Sequence, residues 1–490
     1  QPNLRCFRMQ FVSLFLAFHY ITKAHLITTK HSFPFSDGLA KVSSIQKPPE
    51  YEETMTQSTA PLLRFITAGS VDDGKSTLIG RLLYDSRTLL SDQADKLAQS
   101  AANGQAPDFA GLTDGLAAER EQGITIDVAY RYFATAKRKF IIADTPGHEQ
   151  YTRNMVTGAS TADAAIVLID ATRVDFSGSS PALLPQTRRH SAILKLLGTP
   201  HIIVAVNKLD LLDFDEQKYR AITEAYRTLA AQIGLAAQIH YLPVSALAGD
   251  NIVAASAHTP WYRGLPLLPL LESLPVERSR AAGLSAHFPV QRVARQDGSS
   301  SDDFRGYQGR LEAGRLSVGD EIRVQPSGKS ARIATIYTTQ GEARSAEAGS
   351  ALTLTLDSDV DISRGDSILA ADNPALPTRH IQASVCWFDE RALNPQRKYL
   401  LKHGTQTTAA KVKQIAYVWD VHTLSNVKAA EKLAINDIGS LSLALQQPLT
   451  ATTYAENPAT GAFILIDEAS HHTVAAGMIT ATHERSDFDI

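Results

Sequence analysis

Residues 64–77 read Arg-Phe-Ile-Thr-Ala-Gly-Ser-Val-Asp-Asp-Gly-Lys-Ser-Thr. Its apolar start predicts a buried strand that ends in a glycine-rich turn, and residues 75–84 predict a helix. Between them, Gly69 to Ser76 fits the phosphate-loop pattern G-x-x-x-x-G-K-[ST]. Glycines let backbone N–H groups turn toward phosphate oxygens, and the helix N-terminus adds positive potential. The stretch therefore predicts a phosphate-binding α/β domain.

Strand and helix patterns alternate on the C-terminal side of this loop. The predicted strands lie at 139–143, 164–169, 201–206 and 240–244, with helices between them at 187–197 and 216–233. Such alternation is typical of a doubly wound, mainly parallel sheet. The sequence thus indicates a P-loop α/β domain that ends near residue 275.

The pattern of predicted secondary structure changes from residue 285 onward. Short β-branched stretches then alternate with Gly, Asp and Pro turns, for example at 331–337, 351–356 and 462–466. Regularly spaced short strands predict barrels or sandwiches, and about 205 residues suit two small antiparallel β-barrels. We expect four segments: a disordered leader or translated upstream sequence at 1–54, the phosphate-loop α/β domain at 55–278, and β-barrel domains at 279–376 and 377–490.

Two motifs after the phosphate loop predict a magnesium and γ-phosphate site. Asp144-Thr-Pro-Gly147 follows a predicted strand, where Asp144 would hold Mg²⁺ through water and the Gly147 N–H would meet the γ-phosphate. Lys75 would bridge the β- and γ-phosphates, and the Ser76 hydroxyl would bind Mg²⁺. Thr125 would complete the Mg²⁺ shell from a mobile loop.

Two further motifs predict that the base is guanine. Asn207-Lys-Leu-Asp210 follows another strand, and the Asp210 carboxylate can accept from the guanine N1–H and 2-amino groups. Adenine offers neither donor, so a buried Asp would be left unpaired beside it. Ser245-Ala-Leu247 would supply a backbone N–H to the guanine oxygen.

Together these motifs predict that the domain at 55–278 is a GTP-binding P-loop GTPase domain, and they give its candidate site residues. The predicted GTP contacts are Gly69, Ser70, Val71, Asp72, Asp73, Gly74, Lys75, Ser76, Thr77, Asp144, Thr145, Pro146, Gly147, His148, Asn207, Lys208, Leu209, Asp210, Ser245, Ala246 and Leu247. His148 directly follows Gly147, so we expect it to orient the attacking water rather than to be a surface histidine. The predicted catalytic residues are Lys75, Gly147 and His148, and the predicted Mg²⁺ ligands are Ser76, Thr125 and Asp144.

Composition narrows the function classes. The 490 residues carry 48 basic and 51 acidic side chains, a formal net charge of −3, which disfavours nucleic acid as the main partner. The two cysteines, Cys6 and Cys386, fit a reducing cytoplasmic setting. The apolar run from Phe11 to Phe18 resembles the start of a secretory signal but is too short to span a membrane. We therefore expect neither nucleic acid nor membrane as a partner.

One basic run lies at the start of a predicted helix. For Arg188-Arg189-His190 we expect a solvated or interface face of that helix rather than an anion site.

Longer strings resemble the GTPase (large) subunit family of bacterial ATP sulfurylases, sulfate adenylyltransferase subunit 1, within the elongation-factor-like superfamily. They are 119–133, 144–155, 249–252, 259–262, 304–306 and 361–366. The resemblance implies a heterodimer with a small catalytic subunit. That complex makes adenosine 5′-phosphosulfate and diphosphate from ATP and sulfate, driven by GTP hydrolysis with Mg²⁺. A translation-type GTPase that delivers an RNA is the alternative, and a GTP-gated binding module is a third possibility.

The chain departs from that family at one place. The family has a short turn after the Asp170 strand, whereas residues 173–185 here look like an insertion. Because this segment is close in sequence to the nucleotide-sensing region, its role and its effect on partner contacts stay open.

Overall fold

A computed structural model describes residues 61–86, 108–112, 127–148, 151–178, 181–276, 281–295, 304–428 and 431–482. The predicted leader at 1–54 and the predicted Mg²⁺ ligand Thr125 therefore lie outside the described residues, as does the end of the predicted 377–490 domain, residues 483–490. Within the described ranges, no helix combines the length and the apolar character needed to cross a bilayer.

The first part is a six-stranded sheet. Its strands are β1 (Leu63–Ala68), β2 (Ala129–Ala134), β3 (Lys139–Asp144), β4 (Ala164–Asp170), β5 (His201–Asn207) and β6 (Gln238–Pro243). They lie in the order β2-β3-β1-β4-β5-β6, and β2 alone runs antiparallel to its neighbour. Every residue of β4 and β5 is buried, as expected for central strands covered on both faces. The predicted doubly wound, mainly parallel sheet is confirmed.

Helices cover this sheet. They are α1 (Lys75–Asp85), α2 (Thr152–Ala159), α3 (Pro185–Leu196), α4 (Glu216–Ile233) and α5 (Leu267–Ser273). Helix α4 shows why local sequence sets such bounds. The Asp215 carboxylate accepts from the N–H groups of Gln217 and Lys218, and Gly234 ends the helix in the left-handed conformation at φ 66°.

The second part is a closed antiparallel barrel. Its strands are β7 (His287–Arg295), β8 (Arg305–Arg310), β9 (Arg315–Ser317), β10 (Glu321–Gln325), β11 (Ser330–Thr338), β12 (Gly341–Ala343), β13 (Ser345–Glu347), β14 (Ala351–Leu356) and β15 (Ser367–Ala370). Six of them close in the order β10-β15-β7-β8-β14-β11, because β11 pairs back to β10. Closure removes the exposed edges of the sheet.

The third part repeats this architecture. Its strands are β16 (Pro377–Trp387), β17 (Lys398–His403), β18 (Gln406–Asp420), β19 (Ser425–Lys428), β20 (Ile438–Thr450), β21 (Ala462–Asp467) and β22 (Thr473–Thr482), with one helical turn, α6 (Pro458–Gly461). The order β17-β21-β22-β16-β20-β18 closes because β18 pairs with β17. Two small antiparallel barrels are thus confirmed, while the predicted domain boundaries at 278/279 and 376/377 stay predictions.

The second barrel packs against the α/β part. Cys386 on β16, Phe388 just after β16 and Met478 on β22 share one hydrophobic core cluster with Met155 and Val156 on α2. Nearby, Arg153 donates from Nη2 to the Thr473 carbonyl oxygen at 2.9 Å and lies over the Phe388 ring. The helix that follows Gly147 and His148 therefore touches the second barrel directly.

Candidate nucleotide site

The phosphate loop lies between β1 and α1. The Ser70 N–H donates to the Asp73 carboxylate at 2.6 Å, which folds the loop on itself. The Lys75 ammonium donates to the carbonyl oxygens of Ser70 at 2.7 Å and Gly69 at 3.2 Å. The ammonium of Lys75, which we predict to bind phosphate, is therefore hydrogen-bonded to the first two residues of the loop.

Close packing explains two of the glycines. At Gly147 an added Cβ would overlap the Lys75 ammonium and the backbone of Ser70. Gly74 has φ +92°, and a Cβ there would overlap the side-chain amide of Asn207. The structure thus brings Gly147 against Lys75, as the predicted γ-phosphate site requires.

Asn207 ties three of the predicted motifs together. Its Nδ2 donates to the Asp73 carbonyl oxygen at 2.8 Å, and its Oδ1 accepts from the Ala246 N–H at 2.9 Å. The side chain is buried, so both hydrogen bonds are protected from water. One residue therefore connects the phosphate loop to both segments that we predict to read the base.

An ion pair with Asp170 holds Lys208, the residue that follows Asn207. Its ammonium lies 2.8 Å from the Asp170 carboxylate, which also accepts from the N–H and hydroxyl of Thr172. Burial opposes ionisation of Asp170, but the hydrogen bonds from Lys208 and Thr172 outweigh it and lower the pKa of that carboxyl. Asp170 was not among the predicted site residues.

Oxygen groups meet where Mg²⁺ is predicted to bind. The Ser76 hydroxyl donates to the Asp144 carboxylate at 3.3 Å, and the Thr67 hydroxyl donates to the other oxygen of Asp144 at 2.9 Å. Asp144 is buried. A carboxylate facing a hydroxyl is the hard donor set that Mg²⁺ prefers, so these residues fit the ion.

Burial shifts the ionisation of two loop residues. It raises the pKa of Asp73 to about 6, although the Lys75 ammonium, the Ser70 N–H and Arg173 act in the opposite direction. Burial also lowers the pKa of Lys75, which the carboxylates of Asp144 and Asp73 oppose. Charged groups are thus concentrated and partly desolvated, a feature common at functional sites.

Comparison with known proteins places the chain in a family. The family described as Elongation factor Tu GTP binding domain matches residues 60–276, and the one described as GTP-eEF1A C-terminal domain-like matches residues 380–480. Sulfate adenylyltransferase subunit 1 of Salmonella schwarzengrund (strain CVM19633) is 48% identical over 435 residues, covering 88% of each chain. This chain belongs to the sulfate adenylyltransferase subunit 1 family. The resemblance inferred from the sequence strings is confirmed.

Two other similarities are more distant or partial. The Bifunctional enzyme NodQ of Rhizobium meliloti (strain 1021) is 47% identical over 430 residues, which cover 87% of this chain and 65% of that protein. A solved structure of sup35 complexed with GMPPNP covers 88% of this chain and 97% of its own at 21% identity, with a TM-score of 0.39. A score this low adds nothing to the sheet orders described above.

In this member of the sulfate adenylyltransferase subunit 1 family, His148 is exposed and its ring centroid lies 6.2 Å from that of Tyr151. The Tyr151 N–H donates to the His148 carbonyl oxygen at 3.1 Å, one residue before α2 begins. The His148 side chain therefore lies near the start of α2, the helix that contacts the second barrel. Its role in hydrolysis stays a prediction.

The structure corrects one prediction at the start of α3. We expected Arg188-Arg189-His190 to be a solvated or interface face, but His190 is buried and its Nδ1 accepts from the Gly69 N–H at 3.1 Å. Arg188 does meet an interface, donating to the His422 carbonyl oxygen of the second barrel at 3.1 Å. Thr187, His190 and Leu194 are all buried, so helical spacing was the signal that could have revealed the inward face.

The predicted insertion at 173–185 begins at the phosphate loop. Arg173 donates to the Val71 carbonyl oxygen at 2.6 Å and lies 3.7 Å from the Asp73 carboxylate. Farther along, the Ala182 N–H donates to the Asp175 carbonyl oxygen, and the Leu183 side chain is buried. The two ends of this segment therefore contact the α/β domain through Arg173, Val174 and Leu183, whereas residues 175–178 between them are exposed.

Proposed function

We propose that this chain is the GTP-hydrolysing subunit of sulfate adenylyltransferase. In this role it couples GTP hydrolysis to the formation of adenosine 5′-phosphosulfate and diphosphate from ATP and sulfate. The observation that supports the proposal best is the pair of hydrogen bonds made by the Asn207 side chain in a chain of this family. They join the phosphate loop to both segments that we expect to read the base. Asn207 lies 134 residues after Asp73 and 39 residues before Ala246 in sequence.

Two groups of the chain would contact guanine and distinguish it from other bases. The Asp210 carboxylate, in the helical turn after β5, would accept from the guanine N1–H and 2-amino groups. Because the Ala246 N–H is already used by Asn207, we assign the contact with the guanine 6-oxygen to the neighbouring Leu247 N–H. A base without the two donors would leave the Asp210 carboxylate unpaired.

Hydrolysis would use the groups around Lys75. Its ammonium would leave the loop carbonyls for the phosphates, and the Gly147 N–H would hold the γ-phosphate. His148 would orient the attacking water. Ser76, Asp144 and Thr125 would hold Mg²⁺, which when bound neutralises charge on the phosphate oxygens.

A partner has to supply the sulfate chemistry. We propose that this is the small catalytic subunit of sulfate adenylyltransferase, that it binds ATP and sulfate, and that the heterodimer works in the cytoplasm. The contact of Arg153 and α2 with the second barrel gives a route by which a change at Gly147 and His148 could reach surfaces outside the GTP site.

The test is a coupled assay with the purified partner, ATP and sulfate. We expect diphosphate release to require GTP and to stop when GTP is replaced by GDP or by a non-hydrolysable analogue. Unchanged release without GTP would contradict the coupling. Co-purification of this chain with ribosomes or tRNA, and not with the small subunit, would favour a translation-type GTPase instead.

A further inference from the structure

Arg81 connects the helix that follows the phosphate loop to the segment that we expect to read the base. It lies on α1, six residues after Lys75. Its Nη1 donates to the Leu247 carbonyl oxygen at 3.0 Å, and its Nε pairs with Asp85 at 2.8 Å. The side chain is 21% exposed and that of Asp85 is 16% exposed. Two separate hydrogen-bonding directions thus fix the guanidinium plane.

An aromatic ring and a glycine enclose the same guanidinium. Arg81 lies over the Phe109 ring, 5.4 Å from its centroid, and the Phe109 side chain is buried. On the side of the base-reading segment, Gly249 has φ +91°, and a Cβ there would overlap the guanidinium. The chain after Leu247 therefore passes close to the Arg81 guanidinium, and the positive φ of Gly249 favours glycine at this position.

The hydrogen bonds of the segment 245–249 show what Arg81 contributes. The Ala246 N–H donates to Asn207, the Ala248 N–H donates to the Ser245 hydroxyl at 3.2 Å, and the Gly249 N–H donates to the Ser245 carbonyl oxygen at 2.8 Å. The turn is thus held internally and by Asn207 at its start. Leu247, at its outermost point, is held through its carbonyl by Arg81.

We propose that Arg81 is a positioning residue for guanine recognition, which holds Leu247 so that its N–H points to the guanine 6-oxygen. The inference rests on the proposed GTP function of this site. Arg81 touches no part of the nucleotide itself and acts through Leu247. Since α1 begins at Lys75, the same helix sets both the phosphate end and the base end of the pocket.

The test compares GTP with 6-thio-GTP, which keeps the N1–H and 2-amino donors but carries a weakly accepting sulfur in place of the 6-oxygen. One lost hydrogen bond predicts that the wild-type chain binds GTP about tenfold more tightly than 6-thio-GTP. For Arg81→Met, we expect the GTP dissociation constant to rise about five- to tenfold, while that of 6-thio-GTP changes less than about twofold. A ratio of two dissociation constants does not depend on the fraction of folded protein.

Arg227→Met is the matched control. Arg227 also lies over a ring, 4.6 Å from the Tyr241 centroid, and pairs with Glu224 at 2.9 Å, but its contacts are on α4 and β6. We expect it to leave both dissociation constants and their ratio at the wild-type values.

The outcomes separate the two proposals. An equal rise for both nucleotides in Arg81→Met, or no rise for either, would overturn the positioning role of Arg81 and leave the GTP function intact. A wild-type chain that binds GTP no more tightly than ATP would contradict the GTP function and this inference together.

Discussion

The Gly69 N–H donates a hydrogen bond at 3.1 Å to Nδ1 of the buried His190, so helix α3 is anchored to the first residue of the phosphate loop. Because a backbone N–H can only donate, Nδ1 is the acceptor of this hydrogen bond, and the other ring nitrogen, Nε2, lies 2.8 Å from the Gln186 side-chain amide. Burial, aided by the nearby Lys75 charge, lowers the pKa of His190 to about 3, so the ring stays neutral at physiological pH. Protonation of His190 therefore does not break this hydrogen bond at physiological pH.

Two polar replacements at this position test whether the anchor retains the nucleotide. Asparagine places an acceptor oxygen where Nδ1 lies, whereas glutamine places its polar atoms one bond farther out. We expect His190→Gln to speed the release of a fluorescent GDP analogue about five- to tenfold, since losing one buried hydrogen bond is worth about 1 kcal/mol. His190→Asn should stay within about twofold of wild type. Stopped-flow fluorescence measures both rates, and equal acceleration in the two variants would show that only packing matters.

Much of the fold could be predicted because its signals are local. The predicted helix at 216–233 is observed at those bounds, since an Asp215 cap and Gly234 delimit it. The apolar runs at 164–169 and 201–206 predicted two strands, and these are observed as β4 and β5 with every residue buried. The strand predicted at 240–244 is observed at Gln238–Pro243 instead, because pairing with β5 begins at His201 and Gln238. That register is a long-range contact, which the segment itself does not encode.

Much of the site was predictable for a different reason. The phosphate loop and the Asn207–Asp210 segment are short motifs whose spacing carries their chemistry. The residues that support them were missed, because each reaches its partner across the fold. His190 and Gly69 are separated by 121 residues, and Arg81 and Leu247 by 166. Only the packing of α1 and α3 on the sheet brings these pairs together.

Asp73 predicts a pH dependence for the nucleotide-free chain. Its pKa is about 6 when folded against an ordinary value of 3.8, so the folded chain binds this proton more tightly. The stabilisation from this group is complete below pH 4 and is lost as pH rises through 6. The free energy of unfolding of Asp73→Asn, measured with urea, should therefore rise relative to that of wild type by up to about 3 kcal/mol between pH 4 and pH 7. An identical difference between the two proteins at both pH values would contradict the shift.

Asp210 predicts an exchange of base preference. An asparagine there presents a donor where the carboxylate accepts, which matches xanthine better than guanine. We expect Asp210→Asn to weaken GTP binding at least about a hundredfold and to bind xanthosine triphosphate more tightly than GTP, as two lost charge-assisted hydrogen bonds imply. Asp213→Asn, at an exposed position three residues away, is the control and should keep the wild-type preference. Unchanged GTP selectivity in Asp210→Asn would show that another group reads the base.

The position of His148 predicts that its removal affects GTP hydrolysis much more than GTP affinity. Its side chain is exposed next to Tyr151, and no hydrogen bond of its ring holds the described loop together, so its removal should leave the pocket intact. We expect His148→Ala to keep GTP affinity within about threefold and to slow partner-stimulated hydrolysis about a hundredfold, the usual range for losing a group that positions a reacting water. Equilibrium binding and phosphate release under single-turnover conditions measure the two effects separately. His380→Ala removes an exposed histidine from β16 and should change neither quantity. Parallel losses of affinity and turnover in His148→Ala would mean that this histidine supports the structure of the loop and does not act on the attacking water.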